Sequence, residues 1–291
     1  MAYPKAIEHY PKSMQIFIKI VHNRIDSGKN CLIPFTGQTG SGKSLSTMSL
    51  MIGLYLYRHG KMPEVDYMVN RMKFKALDIM KEFNREDLEK KESWGWDEAG
   101  VDAGHKTHAS LQNRVVSWLI QTFRNLQQVV FFTVPSMSFL DKTIRKMLHL
   151  SIETKTIDKS KKMCICKPLM LQYNERQDKI YYHNLNYPGE NNEYQVVDLM
   201  AIPIPPPEFV AGYEKIKNSF TQELNRQIQI TLEKIESKQG TTLTSRQTQV
   251  KELLDKGITS GNEIAELIGV SAPAVSQFRK ILRAKGVEIA K

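Results

Sequence analysis

The chain has 291 residues, of which 41% are hydrophobic, so it can fold around a sizeable core and is not a disordered chain. Its formal net charge of +10 favours a polyanionic partner, either nucleic acid or a membrane surface, and nucleic acid is the first choice. The alternative is that the charge only keeps the protein in solution. Cys31, Cys164 and Cys166 are too few for a disulfide framework. The C-x-C pair lacks the second pair that a four-ligand zinc site needs, and we interpret both cysteines as ordinary strand residues.

Helices and strands alternate along the first 150 residues. The apolar spacing predicts helices at 13–27, 44–59, 76–92, 111–127 and 138–150, and strands at 30–35, 64–69, 93–100 and 128–134. This alternation is typical of a three-layer α/β domain with a mostly parallel sheet.

The pattern changes after this region. Residues 150–200 predict antiparallel hairpins at the edge of the core, and the proline-rich 202–209 cannot continue a helix or a central strand. A polar helix, 213–239, follows. We therefore expect three parts: an α/β domain at 1–201, a proline-rich and helical linker at 202–240, and a small all-α domain at 241–291.

The N-terminus has no apolar segment of the kind found in signal peptides. No run of about 18 apolar residues is long enough to span a membrane. We expect a cytoplasmic protein, and docking on a membrane complex stays compatible with the sequence.

The segment "GQTGSGKS", residues 37–44, matches the phosphate-binding pattern G-x-x-x-x-G-K-[ST] in full. A predicted strand precedes it and a predicted helix follows, which is the context that the pattern requires. Lys43 is expected to neutralise the phosphates, and Ser44 to hold Mg²⁺. The predicted ligands are ATP and Mg²⁺. The expected nucleotide-binding residues are Gly37, Gln38, Thr39, Gly40, Ser41, Gly42, Lys43, Ser44 and Leu45.

Two acids, Asp97 and Glu98, end the segment "SWGWDE". In this position an aspartate holds the metal and a following glutamate activates the attacking water. The alternative is two surface acids after a turn. The residues resemble the additional-strand catalytic glutamate class of P-loop ATPases, which implies hydrolysis, whereas small-molecule kinases usually lack such a glutamate. The sequence departs from that class at Ser93 and Gly95, where an apolar strand is expected.

The segment "TFRNLQQVVFFTV" continues the resemblance. It is similar to the corresponding region of HerA/FtsK-type translocase and packaging ATPases, which implies a ring, expected to be a hexamer, and an arginine that acts on a neighbour's ATP. Arg124 is the first candidate for that arginine, and Arg114 and Arg145 are others. Thr133 and Ser136 are the candidates for contact with the γ-phosphate or the attacking water, and Thr133 is the first choice. Arg124 also suits a surface position at the C-terminus of a helix, and Thr133 and Ser136 also suit ordinary positions in a strand and a turn.

The chain departs from HerA and FtsK at Pro135, where those families have a glutamine. Zonular-occludens-toxin-like and AAA+ ATPases therefore stay open as relatives.

Residues 243–286 divide into three predicted helices at about 245–256, 260–268 and 271–285. The spacing of Ala265, Gly269 and Val275 resembles the (winged) helix-turn-helix family, which implies that the third helix reads double-stranded DNA. A helical bundle for protein contacts is the alternative. The residues expected on the DNA-reading helix are Ser271, Ala274, Ser276, Gln277, Arg279, Lys280 and Arg283, with Lys285 as a further phosphate contact.

These features predict an ATPase that moves, packages or transfers double-stranded DNA, with Glu98, Lys43, Arg124 and Thr133 as catalytic residues and Ser44 and Asp97 as metal ligands. The second hypothesis is an ATP-gated DNA-binding regulator or a replication or partition factor with little motor activity. An ATPase for protein or filament export leaves the basic charge less well explained.

Overall fold

The computed structural model describes residues 5–99, 126–140, 142–189, 193–241 and 243–284, with side chains left out of the description at 234–241 and 284. The chain forms two compact units, Met1–Phe220 and Thr221–Lys291. The predicted boundaries after residues 201 and 240 stay predictions.

The described elements follow in chain order. The α-helices are α1 (Lys12–Asp26), α2 (Lys43–His59), α3 (Val65–Val69), α4 (Ala76–Phe83), α5 (Lys142–Lys146), α6 (Pro207–Thr241), α7 (Ser245–Asp255), α8 (Gly261–Ile268) and α9 (Ala272–Ala284), and short 3-10 helices lie at Lys5–Ile7 and Met137–Phe139. The strands are β1 (Cys31–Thr36), β2 (Met72–Lys73), β3 (Ser93–Trp96), β4 (Val129–Thr133), β5 (Leu150–Asp158), β6 (Met163–Asn174), β7 (Lys179–Pro188), β8 (Tyr194–Val197) and β9 (Met200–Pro203).

The described strands form one sheet in the order β2-β3-β4-β1-β5-β6-β7-β8, with β9 paired to β6. The strands from β2 to β5 are parallel, and β4 lies between β1 and β3. The strands from β5 onward pair antiparallel, which confirms the predicted hairpins. The predicted α/β fold with a mostly parallel central sheet is confirmed.

The two faces of the parallel sheet are covered by separate apolar cores, because side chains alternate along each strand. In β1, Cys31, Ile33 and Phe35 pack with α1 and α2. Leu32 faces the other side and packs with Ile79 of α4. Both faces are buried, which explains why β1 and β4 are apolar up to their last residues, Thr36 and Thr133.

Several predicted elements differ from the structure or lie outside it. The helix predicted at 138–150 is reduced to the 3-10 helix Met137–Phe139 and the short α5, and Leu150 already belongs to β5. The strand predicted at 64–69 is wrong: Val65, Met68 and Val69 have i, i+3, i+4 spacing, and as helix α3 they pack on the α2 side of the sheet. The helix predicted at 76–92 ends at Phe83 as α4. Most of the helix predicted at 111–127 lies outside the described residues.

The glycine in β3 has a packing reason. Trp94 and Trp96 face the α4 side, so Gly95 faces α2. A Cβ at Gly95 lies 3.1 Å from Thr47 Cγ2 of α2 and 2.2 Å from Met72 Sδ. The departure from an apolar strand therefore follows from the close approach of α2 behind the strand that carries Asp97.

Within the second unit, α7, α8 and α9 enclose a small core that includes Ile264, Ile268 and Val275. Gly269 ends α8 in the left-handed conformation, with φ 67°, which is costly for other residues. A capping box at Thr244 and Gln247 begins α7. The predicted three helices are confirmed, while their assignment to the helix-turn-helix family stays a prediction.

Candidate functional site

Three segments meet at one edge of the parallel sheet. Strand β1 leads into the 37–44 loop, β3 leads into Asp97 and Glu98, and β4 ends at Thr133. The register pairs Phe35 with Thr133 and Trp96 with Phe132, so the carboxyl ends of these strands lie side by side. This is the edge where open parallel sheets place their ligands.

The 37–44 loop rests on β5 and β6. Gly37 has φ 140°, and a Cβ there would lie 2.0 Å from Thr154 Oγ1. A Cβ on Gly42, which has φ 86°, would lie 3.3 Å from Cys164 Sγ. Both positions therefore need glycine for backbone conformation, and Gly37 also needs it for space. Ser41 Oγ is 2.6 Å from Thr154 Oγ1, which adds a polar contact to the strand below.

The Lys43 ammonium donates to the carbonyls of Gly37 and Gln38, each at 2.8 Å. Partial burial lowers its pKa, while the nearby Asp97 carboxylate acts in the opposite direction. The lysine thus lies across the phosphate-binding loop, and its charge is expected to neutralise a phosphate that binds there.

Asp97 is the centre of a buried polar network and is 1% exposed. Its Oδ1 accepts hydrogen bonds from Ser44 Oγ at 2.8 Å and from Thr133 Oγ1 at 2.7 Å. Thr133 Oγ1 in turn accepts the backbone N–H of Glu98 at 2.8 Å. The structure therefore brings together four of the predicted site residues through direct hydrogen bonds.

Glu98 has an unusual backbone for a glutamate, with φ 53°. A residue other than glycine in this region stores about 1–3 kcal/mol of strain, and such strain clusters at functional sites. Its amide is fixed by Thr133, and its side chain is one-third exposed. The conformation turns the residue after a buried aspartate toward the open cleft.

Two residues of helix α6 that the sequence motifs do not include complete the site. Tyr213 donates its hydroxyl hydrogen to Asp97 Oδ2. Lys217 Nζ lies 3.3 Å from Asp97 Oδ2 and 3.0 Å from Glu98 Oε1. Burial, followed by the charge of Asp97, raises the pKa of Tyr213. Burial acts to lower the pKa of Lys217, but Asp97, Tyr213 and Glu98 outweigh it and raise the pKa.

A signal for these two residues was present in the sequence. Phe209, Tyr213, Ile216 and Phe220 follow one another at helical spacing, and all four pack on the core that α1 and α2 share. This stripe fixes the face of α6 that turns inward, and Lys217 lies one turn after Tyr213 on the helix.

The cleft at this edge has a volume of about 540 Å³, which falls within the range of small-molecule sites. Its lining includes Thr39 to Leu45, Asp97, Glu98, Thr133 and Lys217. Ser44 Oγ and Asp97 Oδ1 supply the hydroxyl and carboxylate oxygens that suit Mg²⁺. The glycine cradle and this donor set fit a magnesium-bound nucleoside triphosphate.

The other predicted residues are placed differently. Ser136 Oγ accepts the amide of Ser138 as the cap of the short helix Met137–Phe139, and it does not line the cleft. Arg145 is partly buried in α5, and its Nε has no hydrogen-bond partner among the described residues. Arg114 and Arg124 lie outside the described residues.

In the second unit, the predicted DNA-reading residues lie in or just before α9. Ala274 and Arg279 are partly buried. The other five are exposed: Ser271, Ser276, Gln277, Lys280 and Arg283. The guanidinium of Arg279 donates to the carbonyl of Thr259 at 2.7 Å, so this arginine also ties α9 to the connection between α7 and α8. Lys285 lies outside the described residues.

Two further findings concern membrane spans and metal ligands among the described residues. In the part of the chain that the structure describes, no helix is both long enough and apolar enough to cross a membrane. Cys164 and Cys166 have sulfurs 3.5 Å apart on β6, and no cluster of three or more potential metal ligands occurs among the described His, Cys, Asp and Glu side chains.

Comparisons with known proteins give one distant structural likeness to report. No family model matches the chain, and no curated protein matches it. Among solved structures, the chain is similar to the N-terminal domain of zonular occludens toxin from Neisseria meningitidis, with 18% identity and a TM-score of 0.33. The match covers 54% of this chain and 95% of that one. No residue role in this chain rests on that likeness.

Proposed function

We propose that the chain is a magnesium-dependent ATPase that acts on double-stranded DNA. The observation that carries the ATPase part is the network in which Ser44 and Thr133 both donate to Asp97 Oδ1, beside Glu98 and the glycine loop. It joins the phosphate-binding loop to an acidic pair at the end of a neighbouring strand.

Each residue of this network has a separate role in the proposal. The loop amides and Lys43 bind the phosphates, and Ser44 and Asp97 hold Mg²⁺, which when bound neutralises charge on the phosphate oxygens. Glu98 accepts the proton of the attacking water. Thr133 fixes the orientation of Asp97 and the backbone of Glu98.

The sheet order supports the additional-strand glutamate class over a small-molecule kinase. Strand β4 separates the loop strand β1 from β3, which leads into Asp97 and Glu98. This extra strand gives the class its name. Assembly into a ring, with Arg124 acting on the neighbouring subunit's ATP, is the finer part of the proposal and follows from the resemblance to HerA/FtsK-type ATPases.

The DNA part of the proposal rests on charge and on the second unit. Gln277, Lys280 and Arg283 are exposed on α9, and the full chain carries a net charge of +10. Such a helix presents one amide for base edges and two cations for phosphates. We propose that this unit recruits the ATPase to duplex DNA as a helix-turn-helix domain.

The test is the rate of ATP hydrolysis by the full chain with and without duplex DNA, with the oligomer mass measured alongside. DNA-stimulated hydrolysis in a ring supports the motor. Slow turnover that DNA leaves unchanged, in a monomer or dimer that binds duplex DNA, supports the ATP-gated regulator instead.

A further inference from the structure

Asp97 has a different set of partners on each carboxylate oxygen. Oδ1 faces Ser44 and Thr133, while Oδ2 faces Tyr213 and Lys217 of helix α6. A metal ion held with Ser44 would lie on the Oδ1 side. The Oδ2 side is therefore the side on which α6 contacts the carboxylate.

Lys217 is placed between the acids and the open cleft. Its ammonium lies 3.0 Å from Glu98 Oε1 and 3.3 Å from Asp97 Oδ2, and its side chain is 31% exposed. It lines the same cleft as Lys43. Two lysines thus line the cleft, one from the loop and one from α6.

When Asp97 shares its charge with a bound Mg²⁺, its attraction for the Lys217 ammonium weakens. The terminal phosphate of a nucleoside triphosphate adds negative oxygens to the cleft that both lysines line. A flexible ammonium with three donors can exchange carboxylate oxygens for phosphate oxygens without a change in the fold.

We propose that Lys217 is a binding residue for the terminal phosphate, supplied by helix α6 of the same chain. In the nucleotide-free site it pairs with Asp97 and Glu98, and in the triphosphate-bound site it pairs with the γ-phosphate and leaves Glu98 free to accept a proton. This inference rests on the proposed nucleotide site. It makes α6, and not only the loop, responsible for distinguishing ATP from ADP.

Helix α6 runs from Pro207 to Thr241, and the boundary between the two compact units falls after Phe220. The residue that recognises the terminal phosphate therefore belongs to the same helix that enters the second unit. Recognition of the triphosphate and the start of the proposed DNA-binding unit are joined by one covalent element.

The experiment compares equilibrium binding of ADP and of the non-hydrolysable analogue AMP-PNP, both with Mg²⁺, by calorimetry on the full chain. Lys217→Met removes the ammonium and keeps a long side chain. Lys217→Arg keeps the charge. Lys215→Met is the matched control, because Lys215 is an exposed lysine on the same helix that does not line the cleft. Thermal unfolding without nucleotide checks that each variant folds.

We expect Lys217→Met to weaken AMP-PNP binding about tenfold, since a hydrogen bond between charged groups is lost, and to change ADP binding by less than about twofold. Lys217→Arg should retain most of the preference for AMP-PNP, and Lys215→Met should match the wild type. Equal losses for both nucleotides, no change in either, or tighter AMP-PNP binding in Lys217→Met overturns the role of Lys217. Absence of binding by the wild type overturns the nucleotide site itself.

Discussion

Thr133→Val is the substitution that isolates the polar bridge between Asp97 and Glu98. It replaces the hydroxyl with a methyl group in a residue that is 2% exposed, so the shape of the side chain is kept. Two hydrogen bonds are lost: one to the Asp97 carboxylate at 2.7 Å and one from the Glu98 amide at 2.8 Å.

The magnitude follows from these two bonds. A hydrogen bond to a charged group contributes about 1.5–3 kcal/mol and a neutral one about 0.5–1.5 kcal/mol. Burial of the new methyl group returns about 0.8 kcal/mol. The free energy of unfolding should therefore fall by roughly 1–4 kcal/mol, and hydrolysis should fall as well, because Glu98 loses the contact that fixes its strained backbone.

Urea unfolding of the nucleotide-free protein, followed by tryptophan fluorescence, measures the effect, because Trp94 and Trp96 lie in the strand that leads into Asp97. Thr133→Ser keeps the hydroxyl and is the control, with the smaller cost of one lost methyl group. If Thr133→Val is as stable as the wild type, or if Thr133→Ser loses as much activity as Thr133→Val, the bridge does not have the role assigned here.

Two further predictions concern stability away from the cleft. Glu92 is 4% exposed and forms ion pairs with Arg58 at 3.2 Å and Arg71 at 3.3 Å. Glu92→Gln should therefore lower the free energy of unfolding in urea by about 3 kcal/mol, while Glu86→Gln, at an exposed position, should lower it by under about 0.5 kcal/mol. Equal losses would refute a stabilising role for the buried ion pairs. Burial, followed by nearby cationic charge, lowers the pKa of His149 to about 4, so the neutral form is favoured in the fold and stability should fall as the pH drops below the usual histidine pKa of about 6.5. Between pH 7 and pH 5 the wild type should lose about 2 kcal/mol more than His149→Gln, and parallel pH profiles would contradict this.

The loop and its two flanking elements could be predicted because their determinants are local. The glycines, Lys43 and Ser44 form a continuous pattern between an apolar strand and an apolar helix, and the structure has β1 and α2 at those positions. The departure at Gly95 could be seen in the sequence but not explained there. Its cause is the approach of Thr47 and Met72, which are distant in sequence.

The contribution of α6 was missed because it depends on contacts across the chain. Tyr213 and Asp97 are 116 residues apart, and no local pattern pairs them. The stripe that begins at Phe209 was available, but the many polar residues of 213–239 favoured a linker. The strand predicted at 64–69 is wrong because its apolar residues have the i, i+3, i+4 spacing of a helix, and a short apolar segment suits a strand or a helix equally.

The central claim is that Glu98 activates water for ATP hydrolysis, and Glu98→Gln tests it most directly. The variant keeps the size of the side chain and the backbone but removes the proton acceptor. We expect the variant to bind Mg²⁺–ATP with wild-type affinity and to hydrolyse it about 10²–10⁴ times more slowly. Hydrolysis at the wild-type rate by a variant that binds ATP normally would contradict the account.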